Sequence, residues 1–426
     1  MHQTLLPCAA AAVALFSVSA SRADDSISQA SGQRIAVIDS TTLAGKVLCG
    51  YQGWFRCPGD GSKMGWFHWN RGRTIKPTSL TFEMWPDMSE LDDDERFPAA
   101  GFRYPSGQQA HLFSSVHPKT VRRHFHWMQD FDIHGAWLQR FVVGLKGGPA
   151  EARYESNWQV LQNVRNSANE SGRVWTIAYD MTSMPTDKLF DVMTDDWKQL
   201  VDSGVTRDSR YLHHDGKPVL MVWGFFTDRM QPELAERIVG FFKTHSRYGV
   251  FLVGGCQWYW RNQRNHAWSS VFRSFDVISP WNVGNVAIAA DGSKWPSVAY
   301  WDNDAAEARR AGMIYMPVLW PGFSWDNLNR FDPGKSNIPR RKGEFYWRQF
   351  VKARQLKLRT AYVAMFDEVD EATAIFKVTN RPPQPGHFVT LEEMPSDWYL
   401  RLTQAGTKMI VGDAPLTRTI PIKSNQ

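Results

Sequence analysis

Cysteine is scarce in this chain, with four residues among 426. Cys8 stands just ahead of an N-terminal apolar run, which leaves Cys49, Cys57 and Cys256. An odd number excludes a closed disulfide framework. A Cys49–Cys57 bridge and free buried thiols both stay open. No Cys and His spacing matches a zinc site, and no cofactor is expected. Long apolar runs are lacking after residue 20, so no membrane-embedded segment is expected in the mature chain. A glycine-rich phosphate turn is also missing: Gly59-Asp60-Gly61 is not one, which argues against an open nucleotide-binding sheet. Internal repeats and low-complexity linkers are absent.

Residues 1–23 read as a signal peptide, with an apolar run over 5–20 and Ser21-Arg22-Ala23 as its cleavage site. The expected location is therefore secreted or periplasmic. Residues 24–44 form a lead-in. The net charge of +6 is mild, and no groove-reading motif accompanies it, so no nucleic-acid partner is expected. The densest basic stretch, 339–359, reads as an amphipathic helix. Tyr346, Trp347, Phe350 and Val351 lie inward; Arg340, Arg341, Arg348, Lys352 and Lys357 form its solvated face. Tryptophan is abundant: twenty residues exceed what a core of this size requires. Flat aromatic faces suit pyranose rings, and nucleobases as well; an oligo- or polysaccharide partner is the one expected.

Short apolar runs alternate with helical patterns along the chain. The strands are expected at 46–51, 135–142, 173–179, 218–223, 250–255, 275–280, 313–320 and 360–366. Helix periodicity falls between them, as in Val121, Phe125 and Met128, or Leu189, Met193, Trp197 and Leu200. Eight strands with interposed helices predict an α/β fold, a single-domain (β/α)8 TIM barrel over 45–403, followed by a polar tail over 404–426. The first connection, 52–117, is a long insertion on the face where barrel enzymes work. An extra strand is expected within it at 78–85. Its acidic run, 92–95, reads as a solvated loop, with calcium as the alternative.

Reactive groups are sought at the C-terminal ends of the strands. These positions nominate Tyr51, Gln52, Trp54, Trp69, Arg140, Asp180, Trp223, Trp258, Trp281, Trp320, Trp325 and Asp367 as substrate contacts. After the last strand, Glu368 and Glu371 stand three apart, on one side of a helical turn. Glycoside hydrolysis needs two carboxyl groups in different protonation states, and crowding raises at least one of their pKa values. The alternative is that 367–371 merely cap and open a helix. His124 with His126, and His213 with His214, are the candidates for a metal. Neither pair sits at a strand end, so no metal site is assigned.

Four segments carry a resemblance: Gly50-Tyr51-Gln52-Gly53-Trp54-Phe55, Trp66-Phe67-His68-Trp69, Leu138-Gln139-Arg140-Phe141 and Trp320-Pro321-Gly322-Phe323-Ser324-Trp325. They resemble the bacterial proteins described as glycoside hydrolase family 71/99-like, over about residues 45–402. Family 99 holds endo-α-mannosidases on a (β/α)8 barrel, and family 71 holds α-1,3-glucanases. The family 99 segment Phe-Asn-Glu-Trp-x-Glu-Gly-Thr is similar to 366–373 here, which places Glu368 and Glu371 on its two catalytic glutamates. The resemblance implies a retaining route through the sugar 2-hydroxyl, with Glu368 as its base and Glu371 as acid to the leaving oxygen. Asp367, Val369 and Ala372 depart from the pattern, and are expected to alter the adjoining subsite. A glycan-binding barrel without catalysis is the competing reading.

Overall fold

The computed structural model describes residues 37–424, so the signal peptide expected at 1–23 lies outside the described residues. Seven staves of one parallel sheet are β1 (Val47–Tyr51), β2 (Gly135–Phe141), β3 (Val174–Asp180), β4 (Lys217–Phe225), β5 (Phe251–Gln257), β6 (Val277–Trp281) and β8 (Ala361–Val363). The remaining stave, β7, is broken into Ile314–Tyr315 and Val318–Leu319 around Met316-Pro317. Its first half pairs with β6 and its second with β8, so this shared stave closes the ring. Proline has no N–H for a ladder, which is why the break falls there. Pro317 still accepts from Tyr362 N at 2.9 Å. The architecture is a (β/α)8 barrel.

Helices follow the staves: α1 (Pro118–Asp130), α2 (Tyr154–Ser171), α3 (Thr186–Asp202), α4 (Pro232–Thr244), α5 (His266–Phe272), α6 (Trp301–Arg310), α7 (Glu344–Gln355) and α8 (Trp398–Val411). The last corrects the expected boundary at 403. α8 buries Leu402, Met409 and Ile410 and packs on α7, because it is the barrel's eighth helix rather than a polar tail. Arg340 also differs from expectation. It is buried, not solvated, and its Nη2 donates to Ala372 O and Ala374 O at 2.7 Å each. No helix among the described residues is long and apolar enough to cross a membrane.

Two apolar layers separate along each stave with period two. Leu48, Trp137, Ala178, Met221, Val253, Val277 and Tyr362 fill the barrel interior. Cys49, Leu138, Tyr179, Val222 and Ile278 face the helices. Gly50 falls on the inner register, where a Cβ would lie 2.1 Å from the Tyr362 hydroxyl. The barrel therefore needs glycine at that position.

The insertion is anchored rather than loose. The strand expected at 78–85 does not form. A hairpin of Phe97–Arg103 and Gln109–Leu112 is found instead. In the acidic run, Glu95 is buried and receives Arg123 and Thr120 from α1, while Lys119 pairs with Asp92 and Asp94. Asp92, Asp94 and Glu95 are close enough to one another to share an ion, and Lys119 and Arg123 of α1 pair with them. Cys49, Cys57 and Cys256 are free and buried. Cys57 donates to Phe113 O at 3.1 Å.

Candidate active site

The inner register of the staves leads upward into one cleft of about 350 Å³. Its wall carries Gln52 and Trp54 after β1, Gln139 and Phe141 on β2, Asp180 at the end of β3, Trp223 on β4 and Trp281 on β6. Met365, Glu368 and Glu371 come from the loop after β8, and Thr182 and Arg229 complete the lining.

That last loop is held from several sides. Asp367 is buried and accepts Gln52 N at 2.7 Å and Gly53 N at 2.9 Å. Gly53 has φ +57°, a left-handed turn that glycine adopts without strain. Phe366 N donates to Gly50 O, and Ser324 N donates to Glu371 O at 2.9 Å. These contacts fix the backbone, while the two glutamate side chains reach the cleft.

The side-chain amide of Gln52 donates to Glu368 Oε2 at 2.9 Å. Burial raises the Glu368 carboxyl well above the usual range, Glu371 raises it further, and the Gln52 donor opposes them. Burial, with Asp180 adding repulsion, pushes Glu371 up to about 7. The two glutamates titrate together, and repulsion in a dry cleft keeps a proton on the pair near neutral pH. The Gln52 side chain donates to Glu368 and not to Glu371, and so opposes the burial that raises the Glu368 carboxyl. Burial also pushes Asp180 up to about 6, against hydrogen bonds from Thr182.

Trp54 stacks on His68 with ring centroids 3.8 Å apart and lies 5.1 Å from Phe141. His68 Nδ1 is 2.7 Å from Asp370 Oδ2, so the cleft wall is tied to the loop after β8.

Of the nominated residues, the structure brings Gln52, Trp54, Asp180, Trp223, Trp281, Glu368 and Glu371 together. Seven others do not line the cleft. Tyr51 is on the outer register, buried, with its hydroxyl 2.9 Å from His124 Nδ1. Arg140 is also on the outer register and is held by Asp196 of α3. Trp69 is a core residue of the insertion, and its Nε1 donates to Phe113 O. Trp320 is buried inside the barrel against Phe345. Asp367 spends its oxygens on the amides of residues 52 and 53. Trp325 is partly exposed, and it packs on Phe323 beside the cleft rather than in it. Trp258 is exposed outside the cleft, next to Tyr300.

Sequence reading missed Gln139, Phe141, Thr182, Arg229, Met365, His68 and Asp370. The first two were legible: with Trp137 inward, period two places residues 139 and 141 inward too. The others arrive from loops with no periodic pattern. Val369 and Ala372, two of the departures from the family pattern, are buried and outside the cleft lining.

Glu83, in the insertion, is buried and joins three loops. Its carboxylate accepts Ser324 Oγ at 2.9 Å and Asn327 N at 2.5 Å, and its own N–H donates to Val369 O. Burial pushes it up to about 7 from an ordinary 4.5, against those hydrogen bonds. A raised carboxyl pKa means the native state keeps a proton that the unfolded chain has released. Its stabilising contribution is complete below about pH 4.5 and is lost as the pH rises through about 7. The shift corresponds to about 3 kcal/mol. The thermal midpoint is expected to fall between about pH 5 and pH 8, and Glu83→Gln should flatten that fall. An equal fall in the variant would show that Glu83 is not its source.

No protein-family model matches this chain, and no curated protein matches it. Solved structures do. A GH99 endo-α-mannosidase from Bacteroides thetaiotaomicron, in complex with bis-tris-propane, is similar at TM-score 0.64 and 13% identity, covering 87% of this chain and 99% of that one. A second structure of a GH99 endo-α-mannosidase from that organism gives 0.63 and 12%, over 88% and 100%. A glycoside hydrolase-like protein gives 0.54 and 12%, over 88% and 97%. The chain thus has the barrel fold of the GH99 endo-α-mannosidases over nearly the whole length of those structures.

Proposed function

We propose that this protein is a glycoside hydrolase that cleaves an α-linked glycan outside the cytoplasm, with Glu368 and Glu371 as its carboxylate pair. One observation carries the reading: two buried glutamates share a cleft with Trp54, Trp223 and Trp281, and the Gln52 amide donates to one of them. In the first step, ionised Glu368 takes the proton of the sugar 2-hydroxyl, and that oxygen attacks C1. Glu371 gives its proton to the leaving oxygen. In the second step, Glu371 takes a proton from water, the hydroxide opens the 1,2-anhydro ring at C1, and Glu368 returns its proton to O2. Asp180 accepts sugar hydroxyls at the other wall. The Gln52 donor, which opposes the upward shift of Glu368, and the proton that burial holds on Glu371 support these roles.

The test is incubation of the purified protein with α-linked gluco- and manno-polysaccharides, with product size and anomeric configuration recorded. Shorter products of retained α configuration are expected. Products of inverted configuration would overturn the 2-hydroxyl route. No product from any α-linked glycan would leave the binding barrel as the better reading.

A further inference from the structure

The cleft has a neighbour on the β5–β6 side that the chemistry above does not use. Trp258 follows the end of β5 and is 39% exposed, and Tyr259 beside it is 45% exposed. Few large apolar side chains are this open among the described residues, and these two are adjacent on the catalytic face. The Trp258 ring lies 5.3 Å from Tyr259 and 5.4 Å from Tyr300. Beneath this aromatic ledge is amide chemistry. Asn282, only 1% exposed, directly follows Trp281, whose ring lines the cleft. The Tyr300 hydroxyl faces the side chains of Asn282 and Asn285. Yet no well-formed hydrogen bond joins them: that hydroxyl, both side-chain atoms of Asn282 and Nδ2 of Asn285 have none among the described residues beyond this loose mutual approach. Buried polar groups in native proteins are normally satisfied, so an unpaired set at the edge of a cleft asks for hydroxyls from elsewhere. Aromatic faces open to solvent beside amides that can both donate and accept are what a pyranose presents partners for: an apolar face and a rim of hydroxyls.

We propose that the ledge of Trp258, Tyr259 and Tyr300, with the amides of Asn282 and Asn285 beneath it, is a further sugar subsite. It holds a glycan unit beyond the bond broken in the cleft. The inference rests on the hydrolase reading for its link to turnover, and it commits the substrate to an oligosaccharide chain rather than a single terminal sugar. Trp281 is the shared wall, since it borders the cleft and precedes Asn282.

The test uses α-linked manno- and gluco-oligosaccharides of two to six units, with wild type, Trp258→Ala and Trp258→Phe. For wild type, kcat/KM is expected to rise with chain length. Trp258→Ala should lose about tenfold on the longest chains and stay within about twofold on the disaccharide, and Phe should restore most of the loss. Equal values for wild type and Trp258→Ala at every length would overturn the subsite. So would an equal loss on short and long chains. Because Trp258 is exposed, circular dichroism is expected to be unchanged. If wild type cleaves none of the sugars, the hydrolase reading fails on its own. The subsite is then decided by calorimetric titration of the same sugars, where equal affinity of wild type and Trp258→Ala overturns it.

Discussion

Glu371→Gln is expected to lower turnover by about 10²–10⁴-fold on a glycan with a poor leaving group, while binding is kept. The substitution leaves the volume of the side chain and the backbone contact from Ser324 N unchanged. What it removes is the proton that burial and Asp180 hold on the group up to about pH 7. The pH dependence tests the same assignment. In wild type, kcat/KM should fall as the pH rises through about 7, when Glu371 releases the proton it must donate. In the variant that alkaline limb should vanish from whatever activity remains. Turnover unchanged in Glu371→Gln, or an intact alkaline limb, would remove Glu371 from the acid role. A leaving group that needs no protonation should also suffer less, which separates loss of the acid from general damage.

Arg140→Ala is expected to cost about 3–5 kcal/mol of stability, with little change in KM for the protein that folds. Arg140 is 3% exposed, and its Nε and Nη2 donate to Asp196 at 2.7 and 2.5 Å. The Tyr179 hydroxyl donates to the same carboxylate at 2.5 Å. Removing the guanidinium leaves a buried anion with only Tyr179 to serve it, which is costlier than losing both charges. The double variant Arg140→Met, Asp196→Leu should therefore recover much of the loss. Denaturant titration measures the first effect and steady-state kinetics the second. Unchanged stability with a raised KM would return Arg140 to the substrate.

Arg140 also shows where sequence reading stops. Its position at the end of a strand was legible, and so was the strand. Whether it faces the cleft or the helices depends on register, and a shift of one residue reverses the answer. Tyr51 failed in the same way: Gln52 next to it faces the cleft, while Tyr51 packs on Phe125 behind the sheet. Trp69 and Trp320 failed for another reason. Tryptophan near a strand end satisfies a core as well as a sugar, and these two are fully buried.

The eight staves, their order and the helices between them followed from alternation of apolar runs with 3.6-residue periodicity, because local pattern and layer packing agree in a barrel. The sequence by itself also determined that two glutamates follow the last stave, three residues apart. Only the tertiary structure decided which neighbours they meet. Gln52 comes from the first stave, 316 positions away, and the Ser324 amide from the loop after the seventh. Pairing of β8 with β1 on one side and with β7 on the other brings those distant ends together. Burial and charge then set the two carboxyls apart, and neither quantity is written in the spacing of the residues themselves.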